Sequence, residues 1–131
     1  MEITRTTADL LSALERAEER LRLALEASGA GIWDWDMTNG TLLWDDGMHR
    51  LFGTRKSEWR NHYSGFAESL EPDDLAECER IIAEAVACRT PYRYRFRLRK
   101  GGVIYGLGKV YYGDAGEPLR MVGICIEYQK T

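Results

Sequence analysis

The chain has 131 residues, a formal net charge of −3, 44% hydrophobic and 11% aromatic residues. That is one domain's length with enough apolar surface for a core, and too little net charge to point to nucleic acid as a partner. No apolar run approaches the roughly 20 residues that span a bilayer, and Met1 to Thr7 lacks the basic-then-apolar order of a secretory signal, so a cytoplasmic location is expected.

Leu11, Leu14, Leu21 and Leu25 keep a three-four spacing that predicts a helix over 8–27, interrupted by Glu18. A second seam runs beside it through Leu10, Leu14, Ala17, Leu21 and Ala24, and charged residues fill the rest. Ser28-Gly29-Ala30-Gly31 stops the helix. Two readings stay open: an amphipathic helix lying on its own domain, or a parallel coiled coil that pairs two chains through Leu11, Leu14, Leu21 and Leu25. The chain thus divides into a helical segment, 1–27, and a domain, 28–131.

Ile32 to Met37 alternates Trp33, Trp35 and Met37 with Asp34 and Asp36, as a strand does. Thr38-Asn39-Gly40 is a turn signal, and Thr41 to Trp44 continues as the second strand of a hairpin. Asp45-Asp46 opens a short helix through Met48, Leu51 and Phe52, with Gly53 beyond its end. Residues 54–69 read as loop and short helical turns anchored by Trp59, Tyr63 and Phe66. Pro72-Asp73-Asp74 starts a second long helix, since proline suits the first helical position and acids meet the positive end of the dipole. Its apolar face is Leu75, Cys78, Ile82, Ala85 and Val86, and Arg89-Thr90-Pro91 ends it.

Residues 92–99 read Tyr-Arg-Tyr-Arg-Phe-Arg-Leu-Arg. Only a strand puts Tyr92, Tyr94, Phe96 and Leu98 on one side and all four arginines on the other. After Gly101-Gly102 come a strand from Val103 to Tyr112, a turn at Gly113-Asp114-Ala115-Gly116, and a last strand from Pro118 to Tyr128. The fold class is α+β: a five-stranded antiparallel sheet with helices on one face, preceded by an N-terminal amphipathic helix. The absence of βαβ alternation argues against a nucleotide-binding α/β fold.

Reactive chemistry is sparse. Cys78, Cys88 and Cys125 are an odd number without metal-like spacing, and read as reduced thiols packed as small hydrophobes. His49 and His62, the only histidines, read as surface residues with no nucleophile motif nearby. No phosphate-binding Gly-Lys loop and no Gly-x-Ser-x-Gly elbow is present. Asp34 and Asp36 share one side of a strand and read as outward acids rather than a catalytic pair.

In their order and spacing, several pieces resemble the PAS domain, in particular the PAS fold-3-like subtype of bacterial sensors. They are Leu21-Arg22-Leu23-Ala24-Leu25-Glu26-Ala27, Gly31-Ile32-Trp33-Asp34-Trp35-Asp36, Gly40, Trp44 and Leu51-Phe52-Gly53. Further along come Pro72-Asp73-Asp74, Tyr94-Arg95-Phe96-Arg97-Leu98 and Gly116-Glu117-Pro118-Leu119-Arg120-Met121-Val122-Gly123. The resemblance covers about residues 20–128. Three positions depart from it: Glu71 stands where a histidine is usual, Tyr105-Gly106 where a tryptophan is common, and Glu127-Tyr128-Gln129 in place of the Asp-x-Thr exit motif.

The resemblance implies a noncatalytic sensory module that binds a small ligand, dimerises, or does both, to regulate an output domain such as a histidine kinase or diguanylate cyclase. Its pocket would lie between sheet and helices, with Trp33, Trp35, Trp44, Phe66, Ile82, Tyr94, Phe96, Tyr105 and Ile124 as candidate walls. A core simply filled by these aromatics is the alternative. Gly106 and Gly108 would either leave room for a ligand or admit a close approach to the sheet. The cofactor is unknown. Haem is disfavoured because residues 73–88 hold no histidine, covalent flavin because the Asn-Cys-Arg motif is missing, and noncovalent flavin is unsupported. A homodimer would form through the N-terminal helix and the outer sheet face, with Glu15, Glu18, Glu19 and Asp34 available to the arginine stripe. Nucleic acid and a membrane segment are not expected. The rival readings are a small α+β cone of the nuclear-transport-factor-like type, marked by a buried Asp34 or His62, and a pure dimerisation module.

Overall fold

The structure, a computed structural model, describes residues 2–128, with side chains from Thr6 onward. Helix α1 (Glu2–Ser28) starts before the leucine seam and ends where Gly29 turns left-handed at φ 71° and donates its N–H to Leu25 O at 2.8 Å. Strands β1 (Gly31–Asp36) and β2 (Leu42–Trp44) pair antiparallel, Trp33 opposite Trp44 and Trp35 opposite Leu42. Between them, the Asp36 and Asn39 carboxyl and amide oxygens accept the Thr38 and Thr41 backbone N–H at 2.9 Å each.

Helix α2 (Asp46–Phe52) is capped by Asp45, whose Oδ1 accepts the Met48 N–H at 2.9 Å and the Ile32 N–H at 3.0 Å. One carboxylate therefore caps the helix and ties it to β1. Gly53 closes it with φ 68°. The stretch expected as loop holds a 3-10 turn (Lys56–Glu58) and α3 (Tyr63–Ser69), which starts on His62: its Nδ1 accepts the Ser64 N–H at 3.1 Å. Helix α4 (Pro72–Cys88) opens on proline and two acids, and Arg89 ends it in the left-handed region. Strands β3 (Tyr92–Arg97), β4 (Val103–Tyr112) and β5 (Pro118–Glu127) complete one sheet in the order β2-β1-β5-β4-β3. Of the Glu127-Tyr128-Gln129 exit, Gln129 lies outside the described residues.

The sheet's inner face carries the core. Phe96, Met48, Leu70, Met121 and Cys78 are fully buried there between sheet and helices. Trp33 lies over two glycines of adjacent strands: a Cβ on Gly108 or Gly123 would overlap its indole ring, and at Gly123 also the Leu107 carbonyl. These glycines therefore seat a tryptophan. Gly106, by contrast, faces Tyr92 and Phe96, where a Cβ would be tight against the Tyr92 ring at 3.3 Å without overlapping it.

Two expectations change, and the arginine stripe finds partners within the chain. His49 is buried, not a surface residue, at 7% exposure: α2 turns it inward beside Met48 and Phe52. Helix α1 does not lie on its own domain, since Leu10, Leu11, Leu14, Leu21 and Leu23 remain 50–66% exposed. The arginine stripe pairs elsewhere than with α1. Arg97 grips Asp74 of α4 through Nη2 at 2.9 Å, Arg99 Nε donates to Leu70 O at 2.9 Å, and Arg95 stacks on Tyr128. Asp34 binds Arg120 of β5, with Nε donating at 2.8 Å.

Because Trp33 needs a bare floor, Gly123→Ala is expected to cost about 1–3 kcal/mol through overpacking. Thermal unfolding followed by circular dichroism should show a midpoint several degrees lower, and an unchanged midpoint would contradict the seating described here.

Candidate functional site

A cavity of about 40 Å³ lies between the inner sheet face and the helices. Six of the expected wall residues line it: Trp33, Trp35, Trp44, Phe66, Ile82 and Phe96. Tyr94 shares the inner face but is not among the lining residues. Tyr105 and Ile124 are corrections. Both stand on the outer face, where Ile124 pairs with Ile32 and Leu107, and Tyr105 with Ile126 and Arg95. Strands β4 and β5 are apolar on both sides, so alternation could not choose between faces there. Sequence reasoning missed Leu42, Met48, Tyr63, Tyr92, Met121 and Cys125. Leu42, Met121 and Cys125 were within reach of it, through the register that Trp33 and Trp35 set across β2 and β5.

The walls are stacked aromatics. Trp35 stacks on Tyr63 with centroids 4.7 Å apart, and Trp44 on Trp59 at 3.9 Å. Phe66 meets Phe96 edge to face at 5.6 Å. No lining residue carries a formal charge at neutral pH. The free volume of about 40 Å³ exceeds the roughly 10–15 Å³ that one water needs and falls short of the several hundred of a ligand pocket. A ring-sized molecule enters only by displacing side chains, and Met48 and Met121 are the flexible ones.

The polar atoms around the cavity stay protonated. Tyr92 OH and Cys78 Sγ lie 3.1 Å apart. Burial pushes the Cys78 thiol up to about 11, and raises the Tyr92 and Tyr63 phenols and the Cys125 thiol further. Tyr63 OH donates to Glu79 at 3.1 Å. Neither thiolate nor phenolate is at hand near neutral pH, so Tyr63, Tyr92 and Cys125 line the cavity as neutral groups, with Cys78 off the lining and bonded to Tyr92. Asp34 and His62 both lie off the cavity. Asp34 is on the outer face with Arg120, and His62 is exposed at the α3 cap. Asp36 is also outside it, held below the usual carboxylate range first by the Thr38 hydroxyl. Among the described residues no group of His, Cys, Asp and Glu could hold a metal ion.

His49 borders this region. Its ring meets Trp44 and Trp59 edge-on at 5.4 and 5.6 Å, and Nδ1 lies 2.8 Å from Thr54 Oγ1. Burial holds its pKa below the ordinary 6.5; the Asp46 carboxylate opposes that shift, and Lys56 adds to it.

Comparison with known proteins places this geometry. The family model described as PAS fold matches residues 41–125. The chain is 32% identical over 112 residues to the probable diguanylate cyclase DgcE of Escherichia coli, covering 81% of this chain and 10% of that protein. It is 34% identical over 64 residues to the sensor protein FixL of Bradyrhizobium diazoefficiens, covering 49% of this chain and 12% of that one. The chain thus spans about a tenth of the length of these curated relatives. A sensory box histidine kinase/response regulator from Burkholderia thailandensis superposes with a TM-score of 0.70 at 28% identity, over 82% of this chain and 83% of that one. A PAS domain from Colwellia psychrerythraea shares the fold at TM-score 0.64 and 18% identity, over 88% and 99% of the two chains.

His49 gives the site a pH dependence whose sign follows from its depressed pKa. The unfolded chain takes up a proton near 6.5 while the folded chain still resists it, so folding stability is lost as pH falls below that value. The urea midpoint should drop between pH 7.5 and pH 5.5, and His49→Gln should flatten that drop. Equal slopes in the two proteins would remove His49 as its source.

Proposed function

Because this chain belongs to the PAS fold family, we propose that it works as a noncatalytic sensory module in which residues 28–131 sense and residues 1–27 connect. The observation that carries this reading is α1. Leu10, Leu11, Leu14, Leu21 and Leu23 stay half or more exposed along a 27-residue helix, and only Leu25, near its end, is partly covered. A helix with an unburied apolar seam gains stability from packing on a partner. The outer sheet face supplies a second apolar surface, with Leu43 50%, Tyr111 46% and Ile124 37% exposed.

Two copies would join through Leu11, Leu14, Leu21 and Leu25 and through this outer face. Glu15, Glu18 and Glu19 lie on the same helix, and Arg93 and Arg95 rim the sheet. Exposed pairs of this kind contribute about 0–1 kcal/mol each, so their part is register and partner choice. A ligand seated among Trp33, Trp35, Trp44, Phe66, Ile82 and Phe96 would favour one packing of helices on the sheet and bias the pair toward it, a population shift.

The output is proposed to be a signalling domain joined to this one, as the names of the relatives, a diguanylate cyclase and a sensor protein, suggest. A noncatalytic role is supported by a cavity without charged groups and by thiols and phenols kept protonated. The proposed location is the cytoplasm. Among the described residues no helix is long and apolar enough to cross a membrane.

Sedimentation of the full chain is expected to give a dimer, and deletion of residues 1–27 a folded monomer. Native mass spectrometry beside the denatured mass reports any retained small molecule in the same sample. A monomeric full chain, or a dimer indifferent to the deletion, would take the connecting role away from α1.

A further inference from the structure

Resting on the reading of the cavity as a ligand site, we propose that it selects small uncharged molecules carrying a carbonyl-type oxygen, which the indole N–H groups of Trp35 and Trp44 hold. Among the described residues, the buried side-chain nitrogens and oxygens that lack a hydrogen-bond partner are the Nε1 atoms of Trp35 and Trp44. Both residues line the same cavity. They sit on adjacent strands and the same face as diagonal neighbours, since Trp33 opposes Trp44 and Trp35 opposes Leu42. Trp44 is 8% exposed.

The other two indoles differ. Trp59 Nε1 donates to Leu42 O at 3.1 Å, and Trp33 engages the Cys125 sulfur. Buried N–H groups left unpaired cost folding free energy, and their pairing by a guest returns it as affinity. Two such donors on side chains that line one chamber ask for acceptor oxygens.

The remaining walls set the rest of the molecule. Without a lining cation, a carboxylate or phosphate would be buried unpaired, and without a lining carboxylate so would an amine. Aromatic and aliphatic walls suit an apolar body. The small free volume limits its size to what Met48 and Met121 can yield. A ketone, lactone or quinone-like ring meets these conditions, and a hydrocarbon of equal shape leaves both donors bare.

The test uses the whole chain labelled with nitrogen-15, whose four tryptophans give four indole N–H signals assigned with single Trp→Phe variants. The probes are cyclopentanone, its isostere methylenecyclopentane, and cyclopentanecarboxylate. Cyclopentanone is expected to move the Trp35 and Trp44 signals saturably to lower field and to bind about tenfold tighter than the alkene, while the carboxylate moves neither. Equal binding of ketone and alkene would overturn donor selection and leave the cavity as a ligand site. If none of the probes shifts any cavity signal, both readings fall together. Should a variant not fold, the isostere comparison in the unaltered chain still decides, since Trp35 and Trp44 are the pair expected to move.

Discussion

The pairing of β1 with β5 is the constraint on which the structure depends. Gly31 to Asp36 aligns with Cys125 to Arg120, so the first strand of the domain is held by the last. At the centre of that pair Trp33 sits opposite Gly123 and covers Gly108 beyond it. The indole fixes how closely the layer above can approach and in which register the central strands meet. These contacts join residues some 90 positions apart, so forming them carries the loop-closure entropy of nearly the whole domain.

The two faces of this sheet have separate chemistry. Inside, aromatic rings stack and the polar atoms are thiols, phenols and indoles that burial keeps protonated. Outside, aliphatic residues of β4 and β5 lie beside basic ones of β3, with Arg97 drawn toward the first turn of α4 by Asp74. That carboxylate, held below its usual range by Arg97, also accepts the Arg97 backbone N–H at 2.6 Å. One side chain thus anchors a helix start and the end of an edge strand.

The fold was legible where residues differ sharply from one side to the other. Tyr92 to Arg99 and Trp33 to Asp36 declare both strand and face, and Asp45, Gly53 and Pro72 mark helix boundaries by capping chemistry. Legibility failed where both sides are alike. For Tyr105 and Ile124 apolar character is the only cue, and it does not choose a face because the outer one is apolar too. At His49 polar character argues for the surface, while its helical spacing from Phe52, three residues on, argues for the burial observed. Tyr63 escaped as a wall because the seven-residue helix that aims it at Trp35 is too short to show a period. The room left among these rings depends on rotamers and on ångström-scale packing, which residue types do not encode.

Gly31, where the polypeptide arrives from α1, stands directly across a rung from Cys125, two residues short of where β5 finishes. Arrival and departure are therefore hydrogen-bonded neighbours at one end of the sheet. A tilt or slide of β1 is imposed at once on β5, with no need for a message to cross the domain. Mechanically the sheet is a hinge plate whose two leaves share a pin. Trp33 on its glycine floor bears on β4 and β5 alike, so a displacement of its ring would be felt by both.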